Sequence, residues 1–416
     1  MGVHEGRYGA DIAVLPPRFG PVGVTRLTLT DFRNYRTARL ELAAGGAVLP
    51  VIVLTGPNGA GKTNLLEAVS LLSPGRGLRN ARLADLDRRR AADEADTGWA
   101  VAATIDTRRG DVRIGTGRDP TVGLQPPGLS RGGERRVVRI DGENARGQAA
   151  LGEVIGVTWL TPQMDRLFIE GPSARRRFLD RLVLGLDPAH AARVSSYEHA
   201  MRERSRLLRD GQESTRLSDP VWLDALDETM AAQGVAVAAA RREAVERLDE
   251  ACVVAEGPFP RARLTLQGTV EAWLDELPAL AAEDRFRATL RDNRAVDAAS
   301  GGALVGPHRS DLAVTHAERG VAAESMSTGE QKALLISIVL AHAKLQRQTR
   351  GEPPLLLLDE VAAHLDAARR DALFTTLLDL ESQVWLTGTD AAIFAPLRDA
   401  ARFLSVTDGA LSETTF

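Results

Sequence analysis

The chain has one cysteine, Cys252, in 416 residues. That excludes an internal disulfide framework and a thiolate metal cluster. No apolar run approaches the roughly 20 residues that span a bilayer as a helix. The opening Met1-Gly2-Val3-His4-Glu5 lacks the charged-then-apolar order of a secretory signal, so the expected address is the cytoplasm, away from membranes. Lysine is nearly absent as well: Lys62, Lys332 and Lys344 are the only ones, and every other basic residue is arginine. No strong excess of either charge exists, the formal net being −4. The remaining composition, 44% hydrophobic and 26% charged, is that of a globular protein with room for two or more lobes.

Three separated segments make sense only together. Gly56-Pro57-Asn58-Gly59-Ala60-Gly61-Lys62-Thr63 fits the phosphate-binding loop G-x-x-x-x-G-K-[ST]. The apolar run Val51 to Thr55 before it reads as a buried strand. Leu65, Leu66, Val69 and Leu72 after it recur at helical spacing. At this chain's residue frequencies, chance would supply on the order of 0.003 matches to that pattern. Backbone N–H groups of such a loop close around phosphate oxygens at a helix N-terminus. Lys62 is placed to reach the β- and γ-phosphates and the Thr63 hydroxyl to hold Mg²⁺. Arginine's rigid fork is no substitute for a compact ammonium there.

The second segment, Leu355-Leu356-Leu357-Leu358-Asp359-Glu360, ends an apolar strand in two carboxylates. Asp359 would hold Mg²⁺ and Glu360 would orient the attacking water. Taken alone the pair is equally a surface strand end. The third, Ser327-Thr328-Gly329-Glu330-Gln331, offers a hydroxyl and a glycine N–H at a helix start, which is either an anion site or simply a cap.

Elsewhere the pattern predicts an α/β fold. Residues 1–22 read as a loose extension, 23–165 with 300–416 as a phosphate-loop ATPase head, and 166–299 as a mainly helical inserted lobe. Early strands are expected around Leu27 to Phe32 and Leu40 to Leu42, then Trp99 to Ile105, Val112 to Gly115, Val137 to Ile140 and Val154 to Leu160. The stretch from Gly117 to Gly133 reads as a surface loop. Helices run from a cap at Ser173 to about Ala255 with a break near Gly211 to Pro220, which predicts an antiparallel arm. Arg263 to Gln267 reads as a strand, Leu274 to Leu290 as a helix, and Gly329 to about Leu345 as another. Leu355 to Asp359 and Gln383 to Thr387 are expected strands flanking a helix from Asp366 to Leu380. A hairpin around Asp408-Gly409 closes the chain. Arginines cluster between Ser73 and Arg90 and between Gly171 and Arg209. Such clusters either track a phosphate backbone or are solvated helix faces.

Ser327 to Gln331 resembles the signature of the ATP-binding-cassette superfamily, with Met326 in the usual leucine position. Leu27 to Tyr35 (with Phe32-Arg33-Asn34-Tyr35), Gly306-Pro307-His308-Arg309-Ser310-Asp311, Met326 to Leu345, and Thr387-Gly388-Thr389-Asp390 together resemble the RecF family of SMC-like ATPases. The resemblance implies an ABC-type head without a long coiled coil, binding ATP and Mg²⁺. It further implies an ATP-dependent homodimer in which Ser327 and Gly329 complete the partner's site and Asp366 lines the seam. Gln163 sits where the glutamine loop is expected, serving magnesium and catalysis together with Lys62 and Glu360. Arg33 and Asn34 either flank the nucleotide or pack, and His308-Arg309 reads as a lobe contact. No histidine follows the last strand; Thr387, Thr389 and Asp390 stand there. The implied activity is DNA binding at gaps and single-strand/duplex junctions, with RecO and RecR as partners in loading RecA. Slow hydrolysis would time release. The competing readings are an ABC transporter ATPase subunit and a nucleotide-gated binding module that barely hydrolyses ATP.

Overall fold

The computed structural model describes residues 22–88, 98–119, 136–213 and 219–414. The expected extension at 1–22, apart from Val22, lies outside them, as does most of the expected loop between Gly117 and Gly133. In chain order the first strands are β1 (Gly23–Phe32), β2 (Tyr35–Glu41), β3 (Ala43–Ala44), β4 (Ala47–Val48) and β5 (Val51–Thr55), followed by helix α1 (Lys62–Ser70). Then come β6 (Ala100–Thr107), β7 (Gly110–Arg118), β8 (Arg136–Ile140), β9 (Glu143–Asn144), α2 (Leu151–Val154) and β10 (Val157–Leu160). The helical section is α3 (Pro172–Leu186), α4 (His190–Glu213) and α5 (Pro220–Val253), then β11 (Ala262–Gln267), α6 (Thr269–Glu276), α7 (Ala279–Asp292) and α8 (Arg294–Ser300). The chain ends with β12 (Asp311–His316), α9 (Thr328–Arg350), β13 (Leu355–Leu358), α10 (Ala367–Asp379), β14 (Val384–Gly388), β15 (Ala401–Thr407) and β16 (Ala410–Glu413).

Two six-stranded sheets carry the site. One is antiparallel, in the order β2-β1-β6-β7-β8-β9; the other runs β10-β13-β14-β5-β15-β16 and is parallel up to its last strand. Strands β5, β10, β13 and β14 are buried at every position because both faces of the sheet are covered. Alternation sorts them: Ile52, Leu54, Leu355, Leu357 and Trp385 join a core with α1 and the antiparallel sheet. Val51, Val53, Leu356, Leu358, Val384 and Leu386 face the opposite core, with α3, α9 and α10. Gln383, fully buried, ties the two sheets by accepting from Val24 N–H at 2.9 Å and donating to the Val24 and Leu49 carbonyls. A third core, built on Tyr197, Met230, Trp273 and Phe286, lies among α4 to α7.

Several sequence expectations need correction. The strand predicted from Val154 begins at Val157, because Leu151–Val154 form the helical turn α2. Ser173 is not the cap of α3: Gly171 is, with Pro172 at the first helical position and the Ser173 hydroxyl accepting from Arg177. Leu277-Pro278 splits the helix expected from Leu274 to Leu290 into α6 and α7. Gly117 and Arg118 belong to β7, not to a loop. The signature helix runs on to Arg350.

Candidate functional site

The phosphate-loop segment links the end of β5 to the start of α1, as its sequence demands. Gly56, Gly59 and Gly61 take φ of 142°, 83° and 118°, a region that favours glycine. At two of them space is limiting as well. A Cβ on Gly56 would meet the Val406 carbonyl oxygen at 2.2 Å, and one on Gly61 the Asn34 amide at 2.5 Å. Asn58 and Gly59 form the turn that Ala60 N–H closes on the Pro57 carbonyl, and the Ala60 carbonyl accepts from Asn34 Nδ2 at 3.0 Å and from Gly409 N–H at 3.1 Å. Lys62 is buried, and its ammonium donates to the Gly56 and Pro57 carbonyls at 2.7 and 3.0 Å. Burial lowers its pKa against the opposing pull of Glu360 and Asp359.

Thr63 and Asp359 lie 296 residues apart in the chain and meet in space. The Thr63 hydroxyl lies 3.1 and 3.0 Å from the two carboxylate oxygens. Thr387, at the end of β14, donates to Asp359 Oδ1 at 2.7 Å and accepts from the Glu360 N–H at 2.9 Å. Burial lifts the Asp359 pKa, the two threonine hydrogen bonds oppose the shift, and Glu360 adds to it. Glu360 itself sits at φ 53°, a strained backbone for a carboxylate residue. The set of hydroxyl and carboxylate oxygens suits a hard cation such as Mg²⁺, which keeps waters and substrate oxygens as its remaining ligands. Gln163 is exposed in the turn after β10, which pairs in parallel with β13. All of these residues gather at the C-terminal ends of parallel strands, where open α/β sheets bind ligands.

Arg33 and Asn34 form the two-residue turn between β1 and β2, Arg33 at φ 56°. Arg33 grips Glu67 of α1 with both arms at 2.8 Å, and Arg79 reaches the same buried carboxylate at 3.1 Å. Arg33, Asn34, Asn64, Arg79, Ala81, Ala84, Asp85, Asp87 and Arg88 line a cleft of about 920 Å³ beside the loop. Tyr35, Asn64, Glu67, Arg79 and Thr387 were not singled out as site residues from sequence. The signal for Glu67 was available: a carboxylate inside the apolar run Leu65 to Val69 needs a buried cation.

Ser327 and Gly329 stand apart. Ser327 caps α9 in a capping box with Glu330: its N–H and hydroxyl donate to Glu330 Oε2 at 3.0 and 2.8 Å. Arg319 holds the other carboxylate oxygen, and these bonds keep the Glu330 pKa down at about 2. A Cβ added to Gly329 would meet nothing within 4 Å, so this chain's own packing does not demand glycine there. Among the described residues no hydrogen bond or ion pair joins Ser327 or Gly329 to the phosphate loop. Asp366 caps α10, accepting from Arg369 N–H at 2.9 Å, and stays exposed. His308 bonds Tyr197 OH at 2.7 Å and the Ala303 carbonyl at 2.8 Å, a link between α4 and the segment before β12.

The arginine clusters divide. In the second, Arg175, Arg193, Arg202, Arg204 and Arg206 each pair with a carboxylate, and Arg176 donates to the Ser310 carbonyl. Arg79 and Arg88 of the first are likewise committed, whereas Arg76 and Arg82 are exposed.

The RecF/RecN/SMC N terminal domain family matches residues 23–410. The DNA replication and repair protein RecF of Mesorhizobium japonicum is 49% identical over 396 residues, 94% of this chain and 98% of the relative. That of Brucella suis is 48% identical over 395 residues, 94% of this chain and 96% of the relative. A solved structure of the recombination mediator protein RecF with ATPrS, in the RecFOR pathway, matches with a TM-score of 0.77 at 21% identity. It covers 95% of this chain and 99% of that one. Its ATP counterpart matches at 0.76 and 21% identity, with 96% and 99% covered. The fold is that of an ABC-type ATPase head.

Proposed function

The chain belongs to the RecF family of DNA replication and repair proteins, and on that premise we propose that it is an ATP-gated DNA-binding clamp whose nucleotide site is completed by a second copy of itself. One observation carries the reading. The phosphate loop, Thr63 and Asp359 converge within a single chain, while Ser327 and Gly329 open a separate helix start that, among the described residues, makes no direct hydrogen bond or ion pair to them. Gly56, Pro57, Asn58, Gly59, Ala60, Gly61 and Lys62 hold the triphosphate. Thr63 and Asp359 hold Mg²⁺, with Gln163 reaching it from the neighbouring strand end. A cation held by Thr63 and Asp359 would supply positive charge against the phosphate oxygens. Lys62 gives up its loop carbonyls for phosphate oxygens, and Glu360 orients the attacking water in slow hydrolysis that times release. Arg33, held by Glu67, and Asn34, held by the Ala60 carbonyl and Asn64, border the nucleoside in the cleft beside α1. The partner's γ-phosphate receives Ser327 and Gly329, with Asp366 at the seam.

Membership in the RecF family weighs against a transporter subunit. RecO and RecR are the proposed partners, DNA gaps and single-strand/duplex junctions the substrates, RecA loading the outcome and the cytoplasm the site of action. Among the described residues no helix is long and apolar enough to cross a membrane. Sedimentation velocity with and without ATP-Mg²⁺ and a gapped duplex tests this. Nucleotide should produce a dimer that binds the duplex, with affinity falling steeply as salt rises, since arginine–phosphate contacts release counterions. A monomer indifferent to both ligands would refute it.

A further inference from the structure

Two of the chain's three lysines are buried beside the proposed site. Lys62 is accounted for by phosphate. Lys332 is not: it lies on α9, five residues past Ser327, and its Nζ is 3.4 Å from Asp165 Oδ2. Removing an ammonium from water costs several kcal/mol unless it is paired, so this contact constrains both partners. Asp165 stands two residues beyond Gln163, in the single short turn Pro162–Arg166 that follows β10. The next links are short. The Asp359 N–H donates to the Leu160 carbonyl at 2.9 Å, so the strand that delivers Gln163 is bonded to the residue that meets Thr63.

We propose that the Lys332–Asp165 ion pair is the positioning link between the half-site this chain offers a partner, at Ser327, and the half-site it keeps, at Gln163 and Asp359. The inference rests on the two-copy ATP site proposed above. A helix transmits displacement along its axis, and five residues carry Lys332 only about 7.5 Å from Ser327. A phosphate arriving from the partner at Ser327 shifts the start of α9, and Lys332 passes that shift to Asp165. Gln163 is exposed and makes no side-chain hydrogen bond among the described residues, so its position follows the turn. Loading of the chain's own site reaches Ser327 by the same route in reverse. Lys332 acts through Asp165 and touches no substrate.

A pair that merely neutralised a buried charge would affect stability alone. The full-length chain therefore carries Lys332→Met, Asp165→Asn or both. Fluorescent ATP-analogue binding is measured at concentrations below dimerisation, and the dimer Kd is measured at saturating ATP-Mg²⁺. The expected result is analogue affinity within twofold of wild type and a dimer Kd weakened at least tenfold in each single variant. The double variant should lose no more than either single one, as a pair acting through each other requires. Should Lys332→Met fail to fold, Asp165→Asn, at a side chain 31% exposed, carries the same comparison. An unchanged dimer Kd, or additive losses, overturns the link. A wild-type chain that ignores ATP would instead overturn the two-copy site.

Discussion

Asp359 is held between two opposing demands. Burial favours its neutral form, and the hydroxyls of Thr387 and Thr63 favour the carboxylate. The ionised form is the one that holds a cation. Metal-dependent nucleotide affinity is therefore complete above the raised pKa and is lost as pH falls through it. That loss begins at a higher pH than for a solvated aspartate, whose pKa is about 3.9. Thr387→Val removes one bond to the carboxylate and should move the midpoint to still higher pH. Calorimetric titration of ATP-Mg²⁺ across the acidic range reads it, and coincident midpoints in the two proteins would contradict the assignment. Residues of this kind were legible where chemistry fixed their spacing. The loop from Gly56 to Thr63 and the pair Asp359-Glu360 stand in the structure as the sequence laid them out. Thr387 was visible only as the occupant of a position where a histidine was sought, because its value lies in two hydrogen bonds to residues 27 and 28 positions away.

At the level of elements, the strands were the most readable. Val51–Thr55 and Leu355–Leu358 are buried throughout because both faces are covered, and their flanking signals set their limits. The same uniformity misled at Val154, since an unbroken apolar run carries no period to separate a helical turn from a strand. Charge patterns were less readable than motifs. The excess of arginine between Gly171 and Arg209 shrinks once distant partners fold onto it: Asp311 for Arg175, Asp227 and Asp297 for Arg204. Arg204 is fully buried and joins α4 to α5 and α8, also donating to the Leu290 carbonyl of α7 at 2.6 Å. Arg204→Met would keep Asp227 paired with Arg294 but deprive Asp297 of its cation. Breaking a buried pair on one side costs about 3–5 kcal/mol. Urea unfolding should show that loss, and a change within about 1 kcal/mol would mean the arm does not depend on this cluster.

For the whole molecule, the α/β ATPase head was expected and observed. The sheet order, the third core among α4 to α7 and the arm's internal ion pairs were not expected, since each depends on contacts between segments far apart in sequence. Those contacts also fix where Ser327 stands. α9 is buried along most of its length against the parallel sheet and α3, which leaves Ser327 at its exposed end. A helix packed in that way leaves its N-terminal turn facing outward, where the proposed second copy would meet it.

Mixing two defective proteins tests the proposed two-copy site most directly. Lys62→Ala removes the phosphate-loop ammonium, and Ser327→Arg obstructs the signature turn. With donor and acceptor fluorophores on the two variants, ATP-Mg²⁺ should associate neither variant with itself, yet should bring the two together. Their heterodimer holds one intact pocket, made of the loop of one protomer and Ser327 of the other. Energy transfer that appears only in the mixture and only with nucleotide is the predicted result. A mixture as inert as its components, from proteins that remain folded, would contradict the account.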